Sequence, residues 1–321
     1  MKTYPYLLIA LIAFVLVGAT LVTEPPMDKM SLGKRLFFDP ILSRNRTISC
    51  ASCHREEFAF ADTAALSLGV FGRQGKRNTP SAMNMRLQAN FFWDGRAATL
   101  EEQALIPIAN PDEMDLPVDL AIKRLNANRK YRAYFKQVFG ELPTKTNLAK
   151  ALSEFEQTLE TAESPLDDWR MNDNEAAVSE SAKRGFALFN GKANCVQCHF
   201  GADFNSSEFR NIGLFDGKTL ADSGRAAITK RTADLGKFKI GPLRNVALTA
   251  PYMHNGMFKT LAEVINHYNA PDQRVPGAIN RDPLLAKPLG LTPQEKGDLK
   301  EFLRSLTDKR FLVKATSTKK T

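Results

Sequence analysis

Apolar residues return every three or four positions along most of this chain, and long runs alternating apolar with polar are missing, so the pattern predicts a mainly α protein. Leu148, Leu152, Phe155 and Leu159 mark one helix face. Leu299, Phe302, Leu303 and Leu306 mark another, opened by Thr292-Pro293-Gln294-Glu295, a capping box with proline at the first helical position. Leu261, Val264, Ile265 and Tyr268 fall at i, i+3, i+4 and i+7, a single buried stripe that turns Tyr268 inward and His267 about 100° away. Lys34-Arg35-Leu36-Phe37-Phe38 in one half is echoed by Lys183-Arg184-Gly185-Phe186-Ala187-Leu188-Phe189 in the other, a faint internal repeat. The polar stretch 161–180, with Pro165 and Asn172-Asp173-Asn174, reads as the linker between them. This gives two units, 28–165 and 176–313, followed by a disordered tail over 314–321.

Chemistry enters with the cysteines. Cys50-Ala51-Ser52-Cys53-His54 and Cys195-Val196-Gln197-Cys198-His199 use all four cysteines and two of the four histidines. Each pentapeptide reads as a covalent haem attachment site: one tight turn aims both thiols at the vinyl edge of a porphyrin, and the next imidazole reaches its iron. A four-thiolate zinc site or two local redox disulfides would not account for a histidine directly after the second cysteine in both copies. Two motifs fit two cytochrome c-like domains, each carrying one covalently attached haem. Thioether attachment takes place outside the cytoplasm, and the N-terminus agrees. Lys2 precedes a charge-free stretch over 3–23, almost purely apolar over 7–17, with Val17-Gly18-Ala19 as an export cleavage site. Residues 1–23 therefore read as a signal peptide, or as a membrane anchor if left uncleaved. Either way the folded part belongs in the periplasm, soluble or tethered to the inner membrane.

The formal charge of +9 would fall by about four once the propionates of two haems are added. The remaining basic residues are scattered and lack stacking aromatics, which argues against a nucleic-acid partner.

Six further segments resemble the bacterial di-haem cytochrome c peroxidase superfamily: Leu36-Phe37-Phe38-Asp39-Pro40, Arg77-Asn78-Thr79-Pro80, Phe92-Trp93-Asp94-Gly95-Arg96, Leu100-Glu101-Glu102-Gln103-Ala104, Leu243-Arg244-Asn245-Val246 and Thr249-Ala250-Pro251-Tyr252-Met253-His254-Asn255-Gly256. The resemblance covers nearly the whole chain beyond its N-terminal segment. It implies a polar group at Gln103 that fixes hydrogen peroxide, a pocket-wall proline at Pro107 and an acid-base carboxylate at Glu113. Trp93 would be an electron-hopping station between the haems. One calcium ion would be held by the Asn78 side chain and the carbonyls of Thr249 and Pro251, hard oxygen donors suited to it. Many family members close the first iron with a histidine in the loop after the first motif. No histidine occurs over 66–73, so the His54 haem is expected to be open without prior reduction.

The sixth ligand of the second haem, by the same resemblance, falls on Tyr268, seventeen residues after Pro251. Met253, Met257 and His254 are weaker ligand candidates, His254 being better suited to hydrogen bonding near the haem. Peroxidases of the family carry methionine as that ligand, and the branch resembling the methylamine-utilisation di-haem enzyme carries tyrosine. A phenolate favours ferric iron. Three functions follow as expectations. The first is a peroxidase fed through the C-terminal haem by a small cytochrome c or copper protein. The second is a peroxide-dependent oxidase of aromatic side chains in a protein substrate, whose two haems share the oxidising equivalents. The third is a plain electron-transfer carrier. A homodimer is a compatible assembly.

Overall fold

The computed structural model describes residues 27–161 and 163–312, so the apolar N-terminal segment and the tail lie outside the described residues. Eleven α-helices appear among those described: α1 (Lys29–Phe38), α2 (Leu100–Ala109), α3 (Val118–Ala127), α4 (Arg129–Phe139), α5 (Lys145–Glu156), α6 (Pro165–Met171), α7 (Glu180–Asn190), α8 (Ala226–Thr229), α9 (Leu261–Asn269), α10 (Pro271–Arg274) and α11 (Pro293–Ser305). A single two-stranded antiparallel sheet pairs β1 (Phe209–Arg210) with β2 (Phe238–Lys239). The protein is mainly helical, as the periodicity predicts. Among the described residues no helix is long and apolar enough to cross a membrane.

Among the described residues two large hydrophobic cores form beside two smaller clusters, and the faint repeat marks the equivalent centres of the large ones. In the first, Leu36, Phe37, Leu148, Leu152 and Phe155 meet where α1 crosses α5. In the second, Phe189, Leu299, Phe302 and Leu306 meet where α7 crosses α11. Both crossings are so close that only glycine fits. A Cβ on Gly33 would lie 1.8 Å from the Ala151 carbonyl oxygen, and one on Gly185 would lie 2.0 Å from that of Asp298. Counting from these glycines, Leu36-Phe37 superimposes on Leu188-Phe189, and the facing Ala151 and Phe155 correspond to Asp298 and Phe302.

Capping chemistry sets the helix starts. The Asp28 carboxylate accepts the Ser31 N–H at 2.7 Å, and Thr144 and Thr292 form reciprocal capping boxes with Asn147 and Glu295. Three sequence expectations need correction. Helix α5 stops at Glu156, so Leu159 is buried from the turn that follows. The stretch 161–180 carries α6, capped by Ser164 against Asp167, with Leu166 buried in the second core and Arg244 paired to Asp167 at 2.8 Å. The α9 helix is buried on two faces: His267 is only 2% exposed, because its Nε2 donates to the Ile212 carbonyl at 2.8 Å and its ring packs against Phe258.

Gly185→Ala should lose about 1–3 kcal/mol of stability through overpacking. Gly297→Ala, whose Cβ meets nothing within 4 Å in mid-α11, should gain about 0.5–1 kcal/mol. Denaturant unfolding of the two variants beside the wild type checks both signs.

Candidate active site

Each cysteine motif folds as one 3-10 turn, Cys50–Ser52 and Cys195–Gln197. In both, the histidine N–H returns to the first cysteine's carbonyl at 2.9 Å. The imidazoles are then fixed alike: His54 Nδ1 lies 3.0 Å from the Phe60 carbonyl, and His199 Nδ1 lies 3.0 Å from that of Phe204. A carbonyl only accepts, so Nδ1 carries the proton and the Nε2 lone pair is free for a metal. Burial keeps both rings neutral by lowering their pKa, that of His199 to about 4. The four thiols form no disulfide, and burial pushes Cys53 up to about 11 and Cys195 up to about 12.

Both motifs open on one continuous cavity of about 1060 Å3. That is slightly above the range of about 300–1,000 Å3 usual for ligand sites. Covalently bound porphyrin suits this space: paired thiols at its edge, an oriented imidazole in each half, and walls that include Phe37, Phe91, Phe189 and Leu303. Glu156 also lines it, 7% exposed, with burial pushing its carboxyl up to about 8, so it is protonated at neutral pH.

Gln103, Pro107 and Glu113 converge on the cavity wall beside the first motif. Thr99 caps α2, whose third turn contains Pro107. Proline has no N–H for the Gln103 carbonyl, and the chain turns back within a few residues: the Met114 N–H reaches Pro107 O at 3.2 Å, and that of Leu116 reaches Ile108 O at 2.7 Å. The turn presents Glu113 to the cavity. Its Oε1 accepts from Asn110 Nδ2 at 2.7 Å. Burial raises the carboxyl's pKa above its ordinary value, against the opposing pull of Asn110 and the Arg96 charge. Gln103 Oε1 is buried and has no hydrogen-bond partner in the protein, an acceptor left for a ligand.

The loop expected to lack a closing histidine has a different role. Val70 N–H donates to Glu113 O at 2.8 Å, and a Cβ on Gly69 would come within 2.5 Å of that same oxygen. Arg73 reaches the Pro111 carbonyl at 2.8 Å. The main chain of Gly69 and Val70 and the Arg73 side chain thus clamp the turn that carries Glu113.

Trp93 sits at the junction of the two halves. Its indole N–H donates to Asn78 O at 2.8 Å, and its own carbonyl accepts from Lys239 N at 2.8 Å. Next to it the Asp94 carboxylate binds Arg77 at 2.6 Å and Arg96 at 3.0 Å. Arg77 also grips Asp222 through two bonds, of 2.7 and 2.8 Å. Burial works against the Arg77 charge, but the bonds from Asp222 and Asp94 outweigh it and raise its pKa.

Asn78, Thr249 and Pro251 all reach the cavity wall near this junction. Asn78 spends its amide N–H2 on the carbonyls of Ala64 and Ala65, both at 3.2 Å, and its backbone N–H on the His254 carbonyl at 2.7 Å. Its Oδ1 therefore remains as an oxygen donor. His254, remote in sequence from the first motif, is brought to the same cavity, its ring stacked on Phe238 at 3.7 Å. Among the described residues no cluster of three or more His, Cys, Asp or Glu could hold a metal. Leu261, Val264, Ile265 and Tyr268, the stripe that the spacing marks, all line the cavity. Burial raises the pKa of the Tyr268 hydroxyl. Sequence reading missed the Phe60 and Phe204 carbonyls and the Gly69–Val70 clamp, because main-chain partners leave no residue-type signal.

This chain belongs to the di-haem cytochrome c peroxidase family, whose model matches residues 27–175, and it is an oxidoreductase of the peroxidase type. It is 39% identical over 281 residues to the methylamine utilization protein MauG of Methylorubrum extorquens, covering 87% of this chain and 78% of that one. To the cytochrome c551 peroxidase of Nitrosomonas europaea it is 40% identical over 248 residues, 76% of this chain and 73% of that one. The crystal structure of a MauG-like protein associated with microbial copper homeostasis superimposes with a TM-score of 0.79 at 32% identity, covering 90% of this chain and 95% of the other.

The double variants Cys50→Ala/Cys53→Ala and Cys195→Ala/Cys198→Ala should each remove one covalently held haem. The measurement is the haem-to-protein ratio of the purified protein from its pyridine haemochrome spectrum, expected to halve in each.

Proposed function

We propose that this protein is a periplasmic di-haem peroxidase that reduces hydrogen peroxide at the haem attached through Cys50 and Cys53. Each of the two cores, in this reading, belongs to a cytochrome c-like domain holding one haem. Electrons come from a small redox protein, a cytochrome c or a copper protein, and pass through the haem attached through Cys195 and Cys198. The observation that carries the proposal is the unpartnered, buried Gln103 Oε1 sharing a cavity wall with a carboxyl of raised pKa, Glu113.

When bound, the haem supplies iron that delivers the electrons breaking the O–O bond. The protein's own residues supply position and protons. Gln103 Oε1 accepts a peroxide O–H and so fixes the molecule. Glu113, as carboxylate, takes the proton from the inner oxygen and returns it to the outer one, which leaves as water. Two electrons and two further protons complete the conversion of peroxide to two waters. Pro107 bounds the pocket, and the Gly69–Val70 main chain holds Glu113 in register. Trp93, held at both its indole N–H and its carbonyl, serves as the station between the haems. Asn78 Oδ1 and the carbonyls of Thr249 and Pro251 would hold a calcium ion, for which such oxygen donors are suited.

Tyr268 favours a second reading. Its side chain lines the cavity that the second motif shares, and burial raises the hydroxyl's pKa, so the phenolate forms only beside a compensating cation such as haem iron. Phenolate ligation makes that haem hard to reduce, which suits an oxidase of aromatic side chains in a protein substrate. Mixing the ferric protein with peroxide separates the readings. A peroxidase consumes added reduced cytochrome, the oxidase leaves a long-lived oxidised spectrum, and a plain carrier shows no fast change.

Glu113→Gln should slow the reaction with peroxide about 10²–10⁴-fold in stopped-flow traces while leaving the ferric spectrum unchanged. Because burial raises the Glu113 pKa, its base form is lost at a higher pH than for a free carboxylate. The wild-type rate should therefore rise with pH through an inflection above the ordinary value of about 4.3. That inflection should be absent in Glu113→Gln. Tyr268→Met should move the midpoint of the C-terminal haem to a more positive potential in a spectroelectrochemical titration.

A further inference from the structure

Six lysine and arginine side chains line the cavity, and five of them have a carboxylate. Arg77 and Arg96 share Asp94, Arg210 holds Asp282 at 2.8 Å, Arg244 holds Asp167 at 2.8 Å, and Lys76 lies 3.5 Å from Asp112. Lys239 is the exception among the described residues. Its Nζ donates to the Asn90 carbonyl at 3.0 Å and to Gln88 Oε1 at 3.3 Å, both neutral acceptors. Burial pushes this ammonium down to about 8, the mark of a cation whose charge the surrounding protein does not balance. A lysine enclosed in this way is retained at a cost unless an anion meets it.

The position of Lys239 narrows what that anion is. It lies on β2, and its backbone N–H is bonded to the Trp93 carbonyl while its ammonium is bonded to Asn90, so it grips the 90–93 segment at two points. Its neighbour Phe238 stacks on His254, and Ile240 and Gly241 continue along the cavity wall toward His199. The cavity is shaped for haem, whose only formal anions are its propionate carboxylates.

We propose that the Lys239 ammonium binds a propionate carboxylate of one of the two haems, beside Trp93, and so fixes the charge at the junction between them. The inference rests on the di-haem reading. The residue holds the cofactor and positions the Trp93 segment and takes no part in the chemistry at peroxide. A cation held against a haem propionate stabilises the ferrous form, so losing it lowers that haem's midpoint.

The test is a spectroelectrochemical titration of the wild-type holoprotein beside Lys239→Gln and Lys239→Arg. The expected result is a negative shift of one haem's midpoint in Lys239→Gln, the other haem unmoved, and the wild-type value kept in Lys239→Arg. Wild-type midpoints in both variants, or equal shifts in both, overturn it, the latter being a packing effect. A crystal structure of the wild-type holoprotein decides the matter even if neither variant folds. Nζ within about 3.2 Å of a propionate oxygen supports the assignment, and Nζ beyond that distance from all of them sinks it. A matured chain without c-type haem in its pyridine haemochrome spectrum fails the di-haem reading itself, a separate readout, and takes this assignment with it.

Discussion

The Asp94 carboxylate is the joint on which the arrangement turns. It is 4% exposed and holds Arg77 and Arg96 on one side, while its own carbonyl accepts from Arg225 at 2.8 Å. Arg77 carries the connection on to Asp222, 145 residues away in the chain. Ion pairs this enclosed give little net stability, because desolvation offsets their attraction. They do give geometry: removing one member strands the others, so the segment containing Trp93 has one arrangement relative to both halves. The two cores pack their own helices, and among the described residues bonds such as these tie the segments of the two halves that line the shared cavity.

A second constraint is the duplication of a local device. Glycine at each helix crossing lets α1 meet α5 and α7 meet α11 at backbone contact, and a tight cysteine turn follows each first helix. A carbonyl five or six residues beyond each histidine then fixes the imidazole. The halves diverge where the chemistry demands it. The first has a clamped carboxyl and an amide oxygen with no partner among the described residues, both on the cavity wall. The second has the apolar face of α9 with Tyr268 on it.

Much of this was legible in the residues. The two pentapeptides fold as matching turns on one cavity, the Thr292 capping box and the α11 face are found where expected, and the α9 stripe lines the cavity. Other features were hidden for physical reasons. Helix α6 has only seven residues and a polar composition, so no periodicity announces it, although Ser164, Pro165 and Asp167 spell its start. The burial of His267 depends on a carbonyl 55 residues away. Gly69 and Val70 act on Glu113 through the main chain, which periodicity and motif counting do not sense. The Glu113 and Gln103 assignments came from resemblance, since alone each is an ordinary polar residue of a helix or turn.

The hollow at the centre has a bearing on how such a chain matures. Phe37, Phe91, Phe189 and Leu303, side chains that elsewhere complete an interior, here wall a cavity of about 1060 Å3. A group that packs against these walls binds the native form and not the unfolded chain, so its binding and the folding of the chain are thermodynamically linked.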